Sequence, residues 1–227
     1  MEAPAIQIAP RSVQQQAIER LRAVIVAGMF KPGDRLVEST LCDLLGVSRP
    51  SVREALRSLE AERLVTLIPN KGPHIPILTW EYASAIYKVR ALLEGEASAL
   101  AATLATRDDI KAMRIALTAF GRAVRRDDAA QRISATAEFY RHILRVCGNQ
   151  VIEETLQGLL ARINFLRGQS MSMPGRAEIS HLEMLAILDA IERNDSEAAR
   201  LAAVQHVAEA HRSAEQYYKA ITAEPPS

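Results

Sequence analysis

The chain has 227 residues, 48% hydrophobic and 24% charged, and its 28 Lys and Arg nearly balance 27 Asp and Glu at a formal net charge of +1. That is the balance of a globular protein with room for two ordinary domains, and no apolar run reaches the roughly 18–20 residues that a membrane span needs. Met1 to Pro10 lacks a basic start followed by an apolar core, and Cys42 and Cys147 each sit in an apolar helical pattern, so the expectation is a cytoplasmic chain with two buried thiols, not a secreted, disulfide-bonded one.

In chain order, Ser12 to Gly28 has the pattern of a helix, with Ile18, Leu21, Ile25 and Val26 on one face and Ser12 at the cap. Lys31-Pro32-Gly33-Asp34 then turns the chain. A short helix from Val37 to Leu45 stops at Gly46, and Ser48 caps the next, which takes Pro50 into its first turn and runs to Glu62. Two β-rich stretches follow, Val65–Ile68 and His74–Ile77, around a hairpin tip at Pro69-Asn70-Lys71-Gly72-Pro73. This order is the outline of a winged helix-turn-helix. Beyond it, helical periodicity covers roughly 80–105, 108–125, 128–147, 150–171, 177–193 and 196–222, separated by short polar or Gly-containing breaks. The predicted fold is mainly α: a winged helix-turn-helix over 1–78 and an all-α antiparallel helical bundle over 79–227. Ten basic against eight acidic residues give the first part +2, and eighteen against nineteen give the second −1. The placement of the basic groups therefore carries more information than their sum.

Within the first part, Val52, Leu56 and Leu59 form the inward stripe of the helix that follows Gly46, while Arg49, Arg53 and Arg57 recur every four residues on its outer side. Ser48, Arg49, Ser51 and Arg53 lie toward its N-terminal end, where a recognition helix meets base edges and phosphates and where free backbone N–H groups attract anions. The bland alternative is a solvated face whose arginines pair with Glu54 or Glu60. The preceding turn, and the hairpin with Lys71 at its tip, favour the nucleic-acid reading.

The segments Gly28-x-x-Lys31-Pro32-Gly33-Asp34-Arg35-Leu36-Val37-Glu38, Leu45-Gly46-Val47-Ser48-Arg49 and Val52-Arg53-Glu54-Ala55-Leu56-x-x-Leu59-Glu60 resemble the GntR superfamily of transcription regulators. Pro69-Asn70-Lys71-Gly72 is similar to that family's wing tip, and Pro50-Ser51 stands where the family commonly has Thr-Pro. The resemblance implies base contacts from Arg49 and Arg53, backbone contacts from Ser48 and Ser51, and a wing brought to the minor groove through Gly72. Arg35, Arg57 and Lys71 complete the candidate DNA-binding set.

The helical part resembles the FCD subgroup, through Val89-Arg90-x-x-Leu93-Glu94, Phe139 ten residues before Asn149, Glu183-x3-Ile187-Leu188-x-Ala190 and Asn194-Asp195, with His206 beyond. Many members hold a divalent metal through an Asp-x3-His pair and two further His. Here those four positions fall on Thr136, Tyr140, Met184 and His206, a set unsuited to such an ion. The expectation is therefore no cofactor and no metal, with His181 beside His206 as the one substitute pair. In its place the resemblance implies a small, anionic, organic-acid-type effector met by Arg90, Thr136, Tyr140, Met184 and His206. Arg90 can offer a bidentate fork or be spent on Glu94 one turn later. His142 and His211 are expected at the surface, and His74 beside the wing. The implied function is a DNA-binding regulator, a repressor by expectation, that binds a palindromic double-stranded operator as a homodimer. The alternatives are an effector of fatty acyl thioester type, or a ligand-independent architectural DNA-binding protein. No phosphate loop, His-Glu-x-x-His or nucleophile elbow is present, and no enzyme is expected.

Overall fold

The structure is a computed structural model that describes residues 13–26 and 29–223. The expected cap at Ser12, and the helix end and motif residue at Gly28, lie outside the described residues. Contacts divide the chain into two compact units, which change over between Ile77 and Leu78.

The first unit contains α1 (Val13–Val26), α2 (Glu38–Leu45), α3 (Arg49–Ala61), β1 (Thr66–Ile68) and β2 (Gly72–His74). Its core is Leu21 and Ile25 of α1, Leu41 and Leu45 of α2, Val52, Leu56 and Leu59 of α3, and Leu64, Val65 and Ile75 around the hairpin, all buried. Burying a large aliphatic side chain is worth about 1.5–3 kcal/mol, so this shared stripe, more than helix propensity, holds three short helices in place. Gly46 turns α2 into α3 from the left-handed region at φ 67°, and its N–H donates to Cys42 O at 2.9 Å.

Three local expectations are corrected. The second helix starts at Glu38, with Val37 in extended conformation ahead of it. Ser48 does stand at the N-cap of α3, but its hydroxyl faces Ser51 Oγ at 3.1 Å and caps no N–H. The second strand comes earlier than expected and pairs Ile68 with Gly72, Leu67 with Pro73 and Thr66 with His74. Asn70 at φ 64° and Gly72 at φ 84° make the tip tight, and Lys71 N–H donates to Ile68 O at 3.0 Å. The following apolar segment leaves β1 for the 33–36 turn. Ile75 N–H donates to Asp34 O at 2.9 Å, Gly33 N–H to Ile75 O at 3.0 Å, and Arg35 bridges His74.

The second unit consists of α4 (Trp80–Leu104), α5 (Arg107–Arg125), α6 (Ala129–Val146), α7 (Gln150–Met171), α8 (Arg176–Glu192) and α9 (Ser196–Ala223). The polar breaks read from sequence become caps. Thr79 accepts from Tyr82 N–H, Thr106 and Asp109 form a reciprocal capping box, and Asp128 and Asn149 cap α6 and α7. Helix α4 packs along α9, α5 against α6, and α8 against both α5 and α9. Small buried residues on both, Ala97, Ala101 and Ala102 of α4 and Ala199, Ala203, Ala210 and Ala214 of α9, let the two longest helices lie close. The unit's core is filled by Met113, Leu117, Phe120, Phe139, Leu166, Met184, Ile187 and Ile191.

Two histidines expected at the surface are packed. His211 stacks on Trp80 with ring centroids 4.8 Å apart and planes 8° from parallel, and its Nε2 lies 3.1 Å from Ser84 Oγ. The amphipathic pattern near the chain end masked this contact, which ties late α9 to the start of α4. His142, its side chain 13% exposed, meets Glu138 one turn back at 3.0 Å. Cys147 is buried, Cys42 is only half-buried, and both thiols are free. No helix among the described residues is long and apolar enough to cross a membrane.

Candidate functional site

On the first unit, α3 presents Arg49, Arg53 and Arg57 outward, all exposed, because Val52, Leu56 and Leu59 turn the opposite face inward. Two of the three are already engaged. The Arg53 Nε donates to both Glu38 oxygens at 3.0 and 3.1 Å, and Arg57 donates to Glu54 Oε1 at 2.8 Å. The solvated-face alternative thus describes Arg57, whereas Arg53 is held by a carboxylate of the neighbouring helix. Arg35, Arg49 and Lys71 are exposed and form no ion pair among the described residues. With neither Ser48 nor Ser51 capping α3, the first N–H groups of that helix remain open to an anion. His74 turns its Nδ1 to Gly72 O at 2.9 Å and so serves the hairpin.

On the second unit, a small cavity of about 10 Å³ lies between α4, α6, α7, α8 and α9, lined by Arg90, Thr136, Arg167, Ser170, Met171, Arg176, Ser180, His206 and Ala210. Three expected residues, Arg90, Thr136 and His206, meet there. Tyr140 and Met184 do not line it. Met184 stands one turn beyond Ser180 on α8, in the apolar core. Tyr140 stands one turn beyond Thr136 on α6 and backs the wall: its ring lies under the Arg167 guanidinium at 4.7 Å and beside His206 at 6.2 Å. Burial, then the Glu94 charge, push the Tyr140 phenol well above its ordinary value, so it stays neutral.

Of the two readings of Arg90, the pairing with Glu94 is the one observed, and it takes the fork. Its Nε and Nη2 donate to Glu94 at 2.8 and 3.3 Å, leaving Nη1 without an acceptor. Burial opposes the charge on Arg90, but Glu94 outweighs burial and holds it above its ordinary value. The same carboxylate lies 3.6 Å from Arg167 Nη2. Arg167 is brought down to about 10, by burial first and then by the neighbouring Arg90 charge. Sequence reasoning missed Arg167, Arg176, Glu183 and Ser170. Arg176 Nη2 donates to Glu183 Oε2 at 2.7 Å, and His206 Nδ1 lies 2.7 Å from the same oxygen. Burial, above all, lowers His206 and keeps it uncharged near neutrality.

His181 and His206 do not come together as a substitute metal pair. His181 packs on Phe120 of α5, ring centroids 5.7 Å apart, while His206 is committed to Glu183. No group of three His, Cys, Asp or Glu among the described residues is arranged to hold an ion.

Comparison with known proteins matches residues 13–75 to the bacterial regulatory proteins of the gntR family. Residues 85–209, more than half of the chain, match the FCD domain. The chain belongs to the GntR family, with an FCD domain. It is a transcription regulator and not an enzyme. Among GntR-family relatives, the Bacillus subtilis HTH-type regulator YdhC is 28% identical over 87% of this chain and 87% of its own. The Escherichia coli galactonate operon transcriptional repressor is 28% identical over 83% of this chain and 90% of its own. The solved structure of E. coli McbR/YncC shares the fold, with a TM-score of 0.79 at 24% identity over 91% of this chain and 99% of that one.

Proposed function

We propose that this GntR-family regulator is a cytoplasmic repressor that grips a palindromic operator as a homodimer and releases it when a small organic acid enters the cavity of the helical unit. The observation that carries the reading is the cavity itself. Arg90 Nη1, Arg167 Nε, Arg176 Nε and Nη1, and Ser170 Oγ are buried there without an acceptor. Buried donors are rarely left so unless a ligand or water completes them. An acyl thioester fits this site worse than a small acid does, because the buried charged groups of Arg90, Arg167 and Arg176 stand in its lining. A purely architectural protein would have no use for unpartnered donors in its core. Repression is the role named for several relatives, the galactonate operon protein among them.

On the DNA side, Arg49 and Arg53 read base edges, and Ser48, Ser51 and the open N-terminus of α3 hold phosphate. Arg35, Arg57 and Lys71 add charge, and Gly72 keeps the wing tip slim. Arg53→Ala is expected to weaken operator binding by about 1–3 kcal/mol and relax one half-site position. Lys71→Ala should weaken all duplexes alike and flatten the salt dependence. Operator and scrambled duplexes titrated at several salt concentrations separate the two, and an equal loss on both for Arg53→Ala removes it from base reading. Titrating small organic anions into the protein–operator complex, with and without chelator, tests the switch. Release that needs an added divalent ion, or no release by any anion, defeats it.

A further inference from the structure

In the winged unit, β2 is the middle of a small three-stranded arrangement. On one side it pairs with β1, Thr66 opposite His74, and on the other the 33–36 turn lies against it, Arg35 opposite His74. Leu36 N–H donates to Pro73 O at 2.8 Å and Ile75 N–H to Asp34 O at 2.9 Å, which fixes that register. Successive side chains in such strands point to opposite faces. Val65, Leu36 and Ile75, the chain neighbours of this row, are each 1% exposed, so Thr66, Arg35 and His74 share the face turned away from the core. Arg35 and, toward the tip, Lys71 are exposed and have no ion-pair partner among the described residues. The acids next to them are engaged elsewhere: Asp34 Oδ2 accepts from Lys31 N–H at 2.8 Å, and Glu60 of α3 accepts from Leu67 N–H of β1 at 3.3 Å.

His74 is the one histidine of the winged unit, and histidine is the side-chain type whose charge changes between about pH 5 and 8. Its Nδ1 lies 2.9 Å from Gly72 O. A carbonyl only accepts, so Nδ1 carries the hydrogen and the neutral ring keeps a bare lone pair at Nε2. Nε2 has no hydrogen-bond partner among the described residues. Uncharged, it meets a phosphate oxygen acceptor to acceptor; protonated, it becomes a charged donor. The protonated ring then stands directly across from Arg35, and cross-strand Cβ atoms lie about 4.5–5.5 Å apart, close enough for two cations to repel. A phosphate shared by the two removes that repulsion.

We propose that His74 is a further DNA-contacting residue: its Nε2 and Arg35 together hold a backbone phosphate, and the winged unit takes up a proton there on binding DNA. The phosphate favours the protonated ring, so the complex keeps a proton that the free protein gives up as the pH rises. Affinity is therefore greatest on the acid side and falls as the pH rises through the histidine range. Phosphate carries no sequence information, so the effect is alike on every duplex.

The contact rests on the wing meeting DNA, as proposed for Lys71, and the test keeps the two apart. Two unrelated mixed-sequence duplexes are titrated with the full chain at fixed ionic strength, from about pH 5 to about pH 8. The affinity of the parent for both is expected to fall about three- to tenfold across that range. His74→Asn keeps a donor where Nδ1 meets Gly72 O but removes Nε2. It is expected to match the parent at the alkaline end and to lose the pH dependence, while the histidines at 142, 181, 206 and 211 stay in place. His74→Lys fixes the charge and is expected to bind at every pH about as tightly as the parent does in acid; it provides the reading if the Asn variant folds poorly. A parent without pH dependence, a dependence that survives in both variants, or one confined to a single duplex would overturn the inference. Lys71→Ala should weaken binding equally at every pH. That loss beside an unaltered His74→Asn profile would keep the wing on DNA and remove His74 from it, whereas no loss from Lys71→Ala with a flattened His74→Asn profile would do the reverse.

Discussion

Replacing Glu94 by Gln deletes one buried charge while keeping the shape of the side chain. Glu94 is 3% exposed, accepts two hydrogen bonds from Arg90 and lies 3.6 Å from Arg167, so the variant leaves two buried guanidinium groups without a counter-charge. Removing one partner of a buried pair costs about 3–5 kcal/mol. At roughly 2–4 °C per kcal/mol for a unit of this size, the melting temperature of the helical unit should fall by about 6–20 °C. Arg90→Met in the same background should recover part of that loss, because it removes one of the orphaned cations. The pH dependence follows from the sign of the shift. Burial resists ionisation of Glu94, but Arg90 and Arg167 win and hold its pKa below the ordinary carboxylate value. Its stabilisation is therefore complete above that ordinary value, about 4.3, and disappears as the pH falls through the lower folded one. The variant should lose less stability on acidification than the parent. Differential scanning calorimetry across pH measures both effects. A variant that melts within a degree or two of the parent, with the same acid sensitivity, would refute Glu94 as the counter-ion of the cavity.

Glu38→Ala frees Arg53 from an exposed pair worth at most about 1 kcal/mol to the fold, so stability should barely change while affinity for operator and scrambled DNA rises. Unchanged DNA affinity would mean that Arg53 need not leave Glu38 to bind. Gly46→Ala places a Cβ on a residue at φ 67° and should cost the winged unit about 1–2 kcal/mol, read by hydrogen exchange of α2 and α3 amides. Leu59→Ala, at a position fully buried beneath the same helix, should cost about 2–5 kcal/mol and reduce operator binding through unfolding, leaving the cavity's affinity for its ligand unaffected.

The sequence displayed the winged helix-turn-helix clearly because three signals there agree: the Val52, Leu56, Leu59 stripe, the glycine between helices and the hairpin tip. The return strand was misplaced because Ile75 and Ile77 have strong strand propensity, whereas the pairing is decided by the tight tip and by Pro76, which has no N–H to donate. The six helices of the second unit were legible from periodicity and caps. Its cavity was half legible. Arg90, Thr136 and His206 were found, but Arg167 was missed although its signal is present, a lone arginine amid Ile163, Phe165, Leu166 and Met171 on a helix stretch buried on most sides. The Arg176–Glu183–His206 chain joins two helices across 23 residues of sequence, and no local pattern announces such a link.

The stack of Trp80 on His211 gives the two units separate optical identities. The chain has one tryptophan and five tyrosines, and every one lies from position 80 onward, so the DNA-binding unit contributes no indole or phenol signal of its own. Excitation at the indole band therefore reports the seam between α4 and α9 alone, from a ring 4.8 Å from an imidazole. Comparing that emission with far-ultraviolet dichroism, which sees both units, resolves whether the winged unit melts on its own, and does so without a label.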